Sequence, residues 1–259
     1  MEEKYFIKNR KDKKIAVVVK QNGTKGLAFI MHGLGGFKEQ PHIQTFTDAF
    51  IENGFTVVLF DTTNTFGESD GNYEDATTTN YYEDLEDVID WAKTQDWYQE
   101  PFWLVGHSLG SISTILYAEK FPTKVKGLAP ISTVVSGALS LETPQYKNNT
   151  VLADWERTGI KEKSSESKPG FIKRLKWSHV ADRMKYDVLN EVSKLTMPVL
   201  MIVGEHDTST PAEHQKILFE KLLGKKELHI IKNAPHTFRA PEHLVEIKEI
   251  FDKWIKNNL

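Results

Sequence analysis

The stretch VGHSLGS, residues 105–111, sets Ser108 between two glycines at the end of the apolar run Phe102-Trp103-Leu104-Val105. The residues after it, up to Lys120, continue as a helical pattern that stops before Pro122. A strand that runs straight into a helix needs a tight turn, and glycines on either side leave room for one. Two readings compete for the serine. One is a plain turn in which Ser108 caps the helix. The other is a strained strand-to-helix elbow that holds the Ser108 hydroxyl out as a nucleophile.

Outward from that turn, short apolar runs alternate with amphipathic stretches. Upstream, residues 4–8 and 15–20 are strand candidates separated by the charged turn Asn9-Arg10-Lys11-Asp12, which suits an antiparallel hairpin. Leu27–Met31 and Thr56–Phe60 are further runs, with a helical segment at 44–52 between them that Gly54 ends. Residues 77–95 read as a helix with Leu85, Val88, Ile89 and Ala92 on one face. Downstream, Val125–Ile131, 199–203 and 227–231 complete eight strand candidates, with helices at 212–222 and 241–257. The alternation predicts an α/β protein: a mostly parallel sheet covered by helices on both sides, with the antiparallel pair at one edge.

Residues 133–197 break this rhythm, being longer than an ordinary connection and showing no strand pattern. They carry Trp155, Phe171, Leu175, Trp177, Val180, Met184 and Tyr186, interrupted by the polar segment KEKSSESKPG at 161–170. The expectation is a small helical insertion with a solvated linker inside it. The core domain would then comprise residues 1–132 and 198–259, and the insertion 133–197.

With 39% hydrophobic and 27% charged residues, the 259-residue chain has an ordinary globular composition. A net charge of −3 gives no reason to expect nucleic acid or an anionic membrane as partner. The absence of cysteine excludes disulfides, thiolate catalysis and Cys-based zinc sites. The opening MEEKYFIKNRKDKK has no apolar core of a secretory signal, and no run approaches the roughly 18 apolar residues of a membrane span. A cytoplasmic protein is expected, as monomer or homodimer.

Set among these elements, Gly106-His107-Ser108-Leu109-Gly110 resembles the nucleophile elbow of the α/β-hydrolase fold. The resemblance covers nearly the whole chain outside the insertion. It implies an eight-stranded, mostly parallel sheet flanked by helices, a helical cap, and Ser108 as nucleophile. It implies oxyanion donors at the N–H of Leu109 and at that of Leu34, within His32-Gly33-Leu34-Gly35-Gly36. That glycine-rich stretch lacks the Lys-Ser/Thr of a P-loop and the dinucleotide spacing, so it is not a phosphate cradle. The acid is expected in Val203-Gly204-Glu205-His206-Asp207, where Asp207 is the candidate and Glu205 the alternative. The plainer reading of Asp207 is an acid at the start of a helix.

The general base is expected in Asn233-Ala234-Pro235-His236, since His236 is the histidine past the last strand and before the closing helix. The order Ser108, Asp207, His236 is that of this fold. His32, Gly33 and His107 lie inside the motifs, as scaffold or substrate-side positions. His42, His179, His214, His229 and His243 read as surface or packing residues. His206 and His214 lack a third convergent ligand, so no metal and no cofactor are expected.

HGLGGFKEQP (32–41), GESDG (67–71), GHSLG (106–110) and the insertion length are similar to the bacterial cinnamoyl and feruloyl esterases, with monoacylglycerol-lipase-like hydrolases close behind. Those relatives carry Asp-x-x-Gly-x-Gly-x-Ser after the fourth strand. Here the segment from Asp61 to Ser69 has one extra residue and keeps only the second glycine, a difference that bears on substrate rather than chemistry. The resemblance implies a serine carboxylesterase acting on a small-molecule ester through an acyl-enzyme. Trp155, Phe171 and Trp177 would line an acyl or aryl pocket or form the cap's own core. Acyltransferase, thioesterase, peptidase and low-turnover receptor are the alternatives.

Overall fold

The computed structural model describes residues 1–144, 146–147, 150–164 and 172–259. The chain opens with β1 (Glu2–Lys8) and β2 (Lys14–Gln21), then β3 (Leu27–Met31), α1 (Pro41–Glu52), β4 (Thr56–Phe60), α2 (Thr78–Ala92) and β5 (Phe102–His107). It continues through α3 (Leu109–Lys120), β6 (Val125–Ile131), α4 (Gly137–Leu141), α5 (Val151–Thr158), β7 (Ile160–Ser164), β8 (Ile172–Lys176) and α6 (Ser178–Arg183). The last elements are β9 (Val199–Gly204), α7 (Ala212–Lys221), β10 (Lys226–Ile231) and α8 (Pro241–Lys256).

All eight expected strands join one sheet, ordered β1-β2-β4-β3-β5-β6-β9-β10. β2 runs antiparallel to β1 and β4, and the pairs from β4 to β10 are parallel. This is the α/β-hydrolase fold, with helices on both faces. β3, β4 and β5 are buried along their whole length, which is why they read as unbroken apolar runs rather than alternating ones. Their side chains still alternate between two cores. Leu27, Phe29 and Met31 meet α2 and α3, whereas Ala28 and Ile30 meet the aromatic cluster of Phe46, Phe50, Trp103, Phe251 and Trp254 on the α1–α8 side.

The segment between β6 and β9 departs from the wholly helical expectation. It holds α4, α5 and α6, but also an antiparallel hairpin that pairs Ile160 with Lys176 through to Ser164 with Ile172. Sequence reading missed this because the strands IKEKS and IKRLK bury only Leu175, leaving no apolar period of two. The stop signal was Gly159, which ends α5 at φ 75° and turns the chain into β7. Part of the solvated linker expected at 161–170 is therefore strand, and the rest lies outside the described residues.

The loop after β4 is built around a buried ion pair. Asp61 is fully buried and accepts the N–H of Lys38 and of Glu68 at 2.8 Å each. Its Oδ2 also accepts from Lys38 Nζ at 2.8 Å. Burial pulls Lys38 down, but hydrogen bonds to Asp61, Glu68 and Glu39 outweigh it and hold the ammonium above its usual range. A Cβ on Gly67 would lie 2.2 Å from Asp61 Cγ, so glycine is required there by close approach. The loop also presents Phe66, stacked on Tyr73 at 4.5 Å, and Tyr73 in turn lines the cavity beside Ser108.

Breaking a buried pair by removing one partner costs about 3 kcal/mol or more. Lys38→Met is expected to lower Tm by on the order of 5–10 °C for a chain of this size. Differential scanning calorimetry checks this, and an unchanged Tm contradicts the role given to the pair.

Candidate active site

Ser108 links β5 to α3 with φ 54° and ψ −113°, a conformation that ordinary residues avoid. A Cβ on Gly106 would lie 2.5 Å from Gly110 O, and one on Gly110 would lie 2.4 Å from His32 O. The turn is therefore clamped between α3 and the end of β3, and only glycine fits at either flank. Ser108 N–H donates to Ile131 O at 2.9 Å, which ties the turn to β6 as well.

Asp207 follows β9, and its buried carboxylate is heavily satisfied. It accepts the N–H of Ser209 and of Thr210 at 2.9 Å each, the Thr210 hydroxyl at 2.8 Å, and His236 Nδ1–H at 2.7 Å. Burial raises the carboxyl, but the His236 charge and the hydrogen bonds from His236 and Thr210 outweigh it and hold it well below the usual carboxylate range. With Nδ1–H given to Asp207, His236 Nε2 is left as the acceptor for Ser108 Oγ, 2.9 Å away. Glu205, the alternative acid, is exposed and accepts the N–H of Asn233 at 2.8 Å, bracing the neighbouring loop.

His236 sits between two left-handed residues, Asn233 at φ 56° and Phe238 at φ 45°. Such backbone persists only where packing over-determines it, and Phe238 is fully buried. His107 supports the loop from below: its Nε2–H donates to His236 O at 2.8 Å, and the two rings lie 4.8 Å apart. Burial, then the neighbouring charges of His42 and His236, push His107 well below its ordinary value, so it is a neutral donor. His42 packs beneath at 4.5 Å and is pushed down to about 3, chiefly by burial.

These groups face a cavity of about 560 Å³. Leu34 and Leu109 line it beside Ser108, and neither N–H has a protein acceptor among the described residues. Leu109 opens α3, so its N–H is one of the first-turn donors that a helix leaves unpaired. Gly33 and His107 also line the cavity, and a Cβ on Gly33 would lie 2.9 Å from Ser108 Cβ.

His32 does not reach the cavity. It is fully buried behind the loop, where its Nε2 accepts Thr62 N–H at 3.1 Å. Trp155 lines the cavity and donates Nε1–H to Leu175 O at 2.9 Å. Trp177 stands behind it, edge-on at 5.8 Å, as packing rather than lining. Phe171 lies outside the described residues.

The insertion also contributes lining residues that sequence reading missed: Tyr146, Lys161, Arg183 and His179, the last expected to be surface or packing. The spacing of His179 and Arg183 on one turn of α6 is visible in sequence, but nothing local marks that turn as facing Ser108. Among the described residues no cluster of three His, Cys, Asp or Glu could hold a metal ion, and no helix is long and apolar enough to cross a membrane.

Because the folded Asp207 carboxyl titrates below its unfolded value of ~3.9, the stability it adds is fully present above that pH and is lost as pH falls through the folded value. Asp207→Asn is expected to lower the unfolding free energy at pH 7 by about 2 kcal/mol. The gap to the unsubstituted protein should close below about pH 4. Denaturant unfolding across that range checks the sign, and a gap that widens in acid contradicts it.

Comparison with known proteins places this geometry in context. The family model Hydrolase_4, described as "Serine aminopeptidase, S33", matches residues 22–240. An uncharacterized 31.7 kDa protein from the traX-finO intergenic region of Escherichia coli is 27% identical over 263 residues, covering 90% of this chain and 91% of its own. Est1E from Butyrivibrio proteoclasticus, solved with ferulic acid bound, superposes with a TM-score of 0.82 at 22% identity, covering 98% of each chain. The monoacylglycerol lipase of Paleococcus ferrophilus superposes with a TM-score of 0.75 at 22% identity, covering 99% of this chain and 100% of that one.

Proposed function

The chain belongs to the Hydrolase_4 family of hydrolases, described as serine aminopeptidase S33, and on that footing we propose that it is a serine hydrolase cleaving carboxylic esters through an acyl-enzyme on Ser108. The observation that carries the reading is the line of hydrogen bonds Asp207–His236–Ser108, at 2.7 and 2.9 Å, opening on a cavity. Ser108 Oγ attacks the ester carbonyl carbon as His236 Nε2 takes its proton. The carbonyl oxygen gains negative charge and is held by the N–H groups of Leu34 and Leu109. Collapse breaks the C–O bond, and the alcohol leaves with the proton that His236 returns. Water then repeats the sequence, releasing the acid and restoring Ser108. Asp207 holds the imidazole in the productive tautomer and stabilises its cation. Residues 133–197 act as the cap over this site.

The family description favours a second reading, an aminopeptidase. A free amino terminus is a cation and needs carboxylates to receive it. Among the described residues the cavity lining holds no Asp or Glu, but it does hold Lys161, Lys163, Lys173, Arg183 and Arg239. That charge pattern supports an ester over a peptide with a free amine.

Hydrolysis of p-nitrophenyl esters from acetate to dodecanoate, beside methyl ferulate and an aminoacyl p-nitroanilide, tests the proposal. Esters should be preferred, and Ser108→Ala should lower turnover on the order of 10⁶-fold. Asp207→Asn should lower kcat about 10⁴-fold. Retention of turnover by Ser108→Ala, or preference for the anilide, would each overturn part of this account.

A further inference from the structure

The insertion brings to the cavity a charged group that this mechanism does not use. Arg183 ends α6, is only 8% exposed, and lines the same cavity as Ser108. Its Nη1 lies 3.5 Å from His179 Nε2. His179 Nδ1–H donates to Ala76 O at 3.0 Å. Burial, then the Arg183 charge, push that imidazole down to about 3, so it is neutral and turns an acceptor towards the guanidinium. The other two guanidinium nitrogens, Nε and Nη2, are buried with no hydrogen-bond partner among the described residues.

Such an arrangement is costly unless something arrives to complete it. A buried cation is ordinarily paired, and a buried N–H without an acceptor loses its full desolvation energy. Burial pulls Arg183 below its usual range, and the Tyr146 hydroxyl only partly opposes this. Nε and Nη2 form one edge of the guanidinium, with two parallel N–H vectors that match the two oxygens of a carboxylate. Lys161 adds a second cation: its Nζ is 3.2 Å from the Tyr146 hydroxyl and 5.1 Å from the centre of the Trp155 ring. All four residues line the cavity, whose described lining holds no carboxylate.

We propose that Arg183, with Lys161 beside it, receives a carboxylate carried by the ester substrate, so that the natural substrates are anionic esters such as half-esters of dicarboxylic acids. The inference rests on the reading of Ser108 as the nucleophile of an esterase. The insertion then does more than cover the site: it selects for charge. A phosphate on the substrate would share the same chemistry, and the test separates the two.

The experiment compares kcat/KM for monomethyl and dimethyl esters of the diacids from succinate to suberate, in the intact protein and in Arg183→Gln and Arg183→Lys. At the best chain length the half-ester should be favoured over the neutral diester by about 10- to 100-fold, the range of hydrogen bonds to a charged group. This ratio should collapse in Arg183→Gln and recover only in part in Arg183→Lys, which keeps the charge but not the fork. The ratio reads selectivity independently of any general loss of activity.

Free glutarate and inorganic phosphate are then tested as competitors against a neutral ester in the unsubstituted protein. Stronger inhibition by glutarate supports the carboxylate, stronger inhibition by phosphate reassigns the site to a phosphate-bearing ester, and inhibition by neither overturns the anion site. Equal or better turnover of the diesters also overturns it while leaving the esterase reading intact. If no ester is turned over at all, the esterase reading fails. Calorimetric titration of monomethyl adipate then decides the anion site separately, since binding lost in Arg183→Gln retains it and absence of binding ends it.

Discussion

The backbone of Ser108, at φ 54° and ψ −113°, is held where an L-residue costs on the order of 1–3 kcal/mol, and the centre of the molecule is arranged to keep it there. Gly106 packs on Gly110, Gly110 packs on the end of β3, and Ser108 N–H is tied to β6. Three adjacent strands of a sheet buried on both faces supply these constraints, so the strain is spread over the stiffest part of the fold. The same turn that forbids side chains at 106 and 110 starts α3 at Leu109, whose N–H has no protein acceptor among the described residues, and sets Gly33 against Ser108. Nucleophile and oxyanion donors are thus, in the proposed mechanism, consequences of one tight turn.

Asp207 and His236, the proposed acid and base, reach this turn from loops that are separately braced. Asp207 is anchored by Ser209 and Thr210 before it meets His236, so its orientation does not depend on the imidazole. His236 is held through its own carbonyl by His107, a residue of the elbow itself. The stack of His42 and His107 beneath His236 is neutral because burial holds both imidazoles down, so neither support places a cation beneath the proposed base.

What could be read from sequence follows how local each constraint is. The central strands β3, β4 and β5 were legible because burial on both faces writes an unbroken apolar run, and GHSLG because a strand-to-helix elbow needs its glycines at fixed offsets. The choice between Glu205 and Asp207 turns on two residues of register, and the structure separates them by partners: Glu205 takes an amide of the neighbouring loop, and Asp207 takes His236. The β7–β8 hairpin was not legible, because a solvated ribbon with one buried leucine carries no periodic signal. Nor were Arg183 and His179 as cavity residues, since their place is set by how α6 docks on the core through Asp182 and Thr79, a contact between residues about a hundred positions apart. The insertion's contribution to the cavity is therefore the part of the site that only the folded chain reveals.

The central claim is that the elbow presents Ser108 as an activated nucleophile, and covalent labelling tests it without knowledge of the substrate. Intact mass and peptide mapping after reaction with a fluorophosphonate should show a single adduct, on Ser108, formed rapidly in the folded protein and lost in His236→Ala. An adduct on another residue, or none on a protein shown to be folded, would contradict the account.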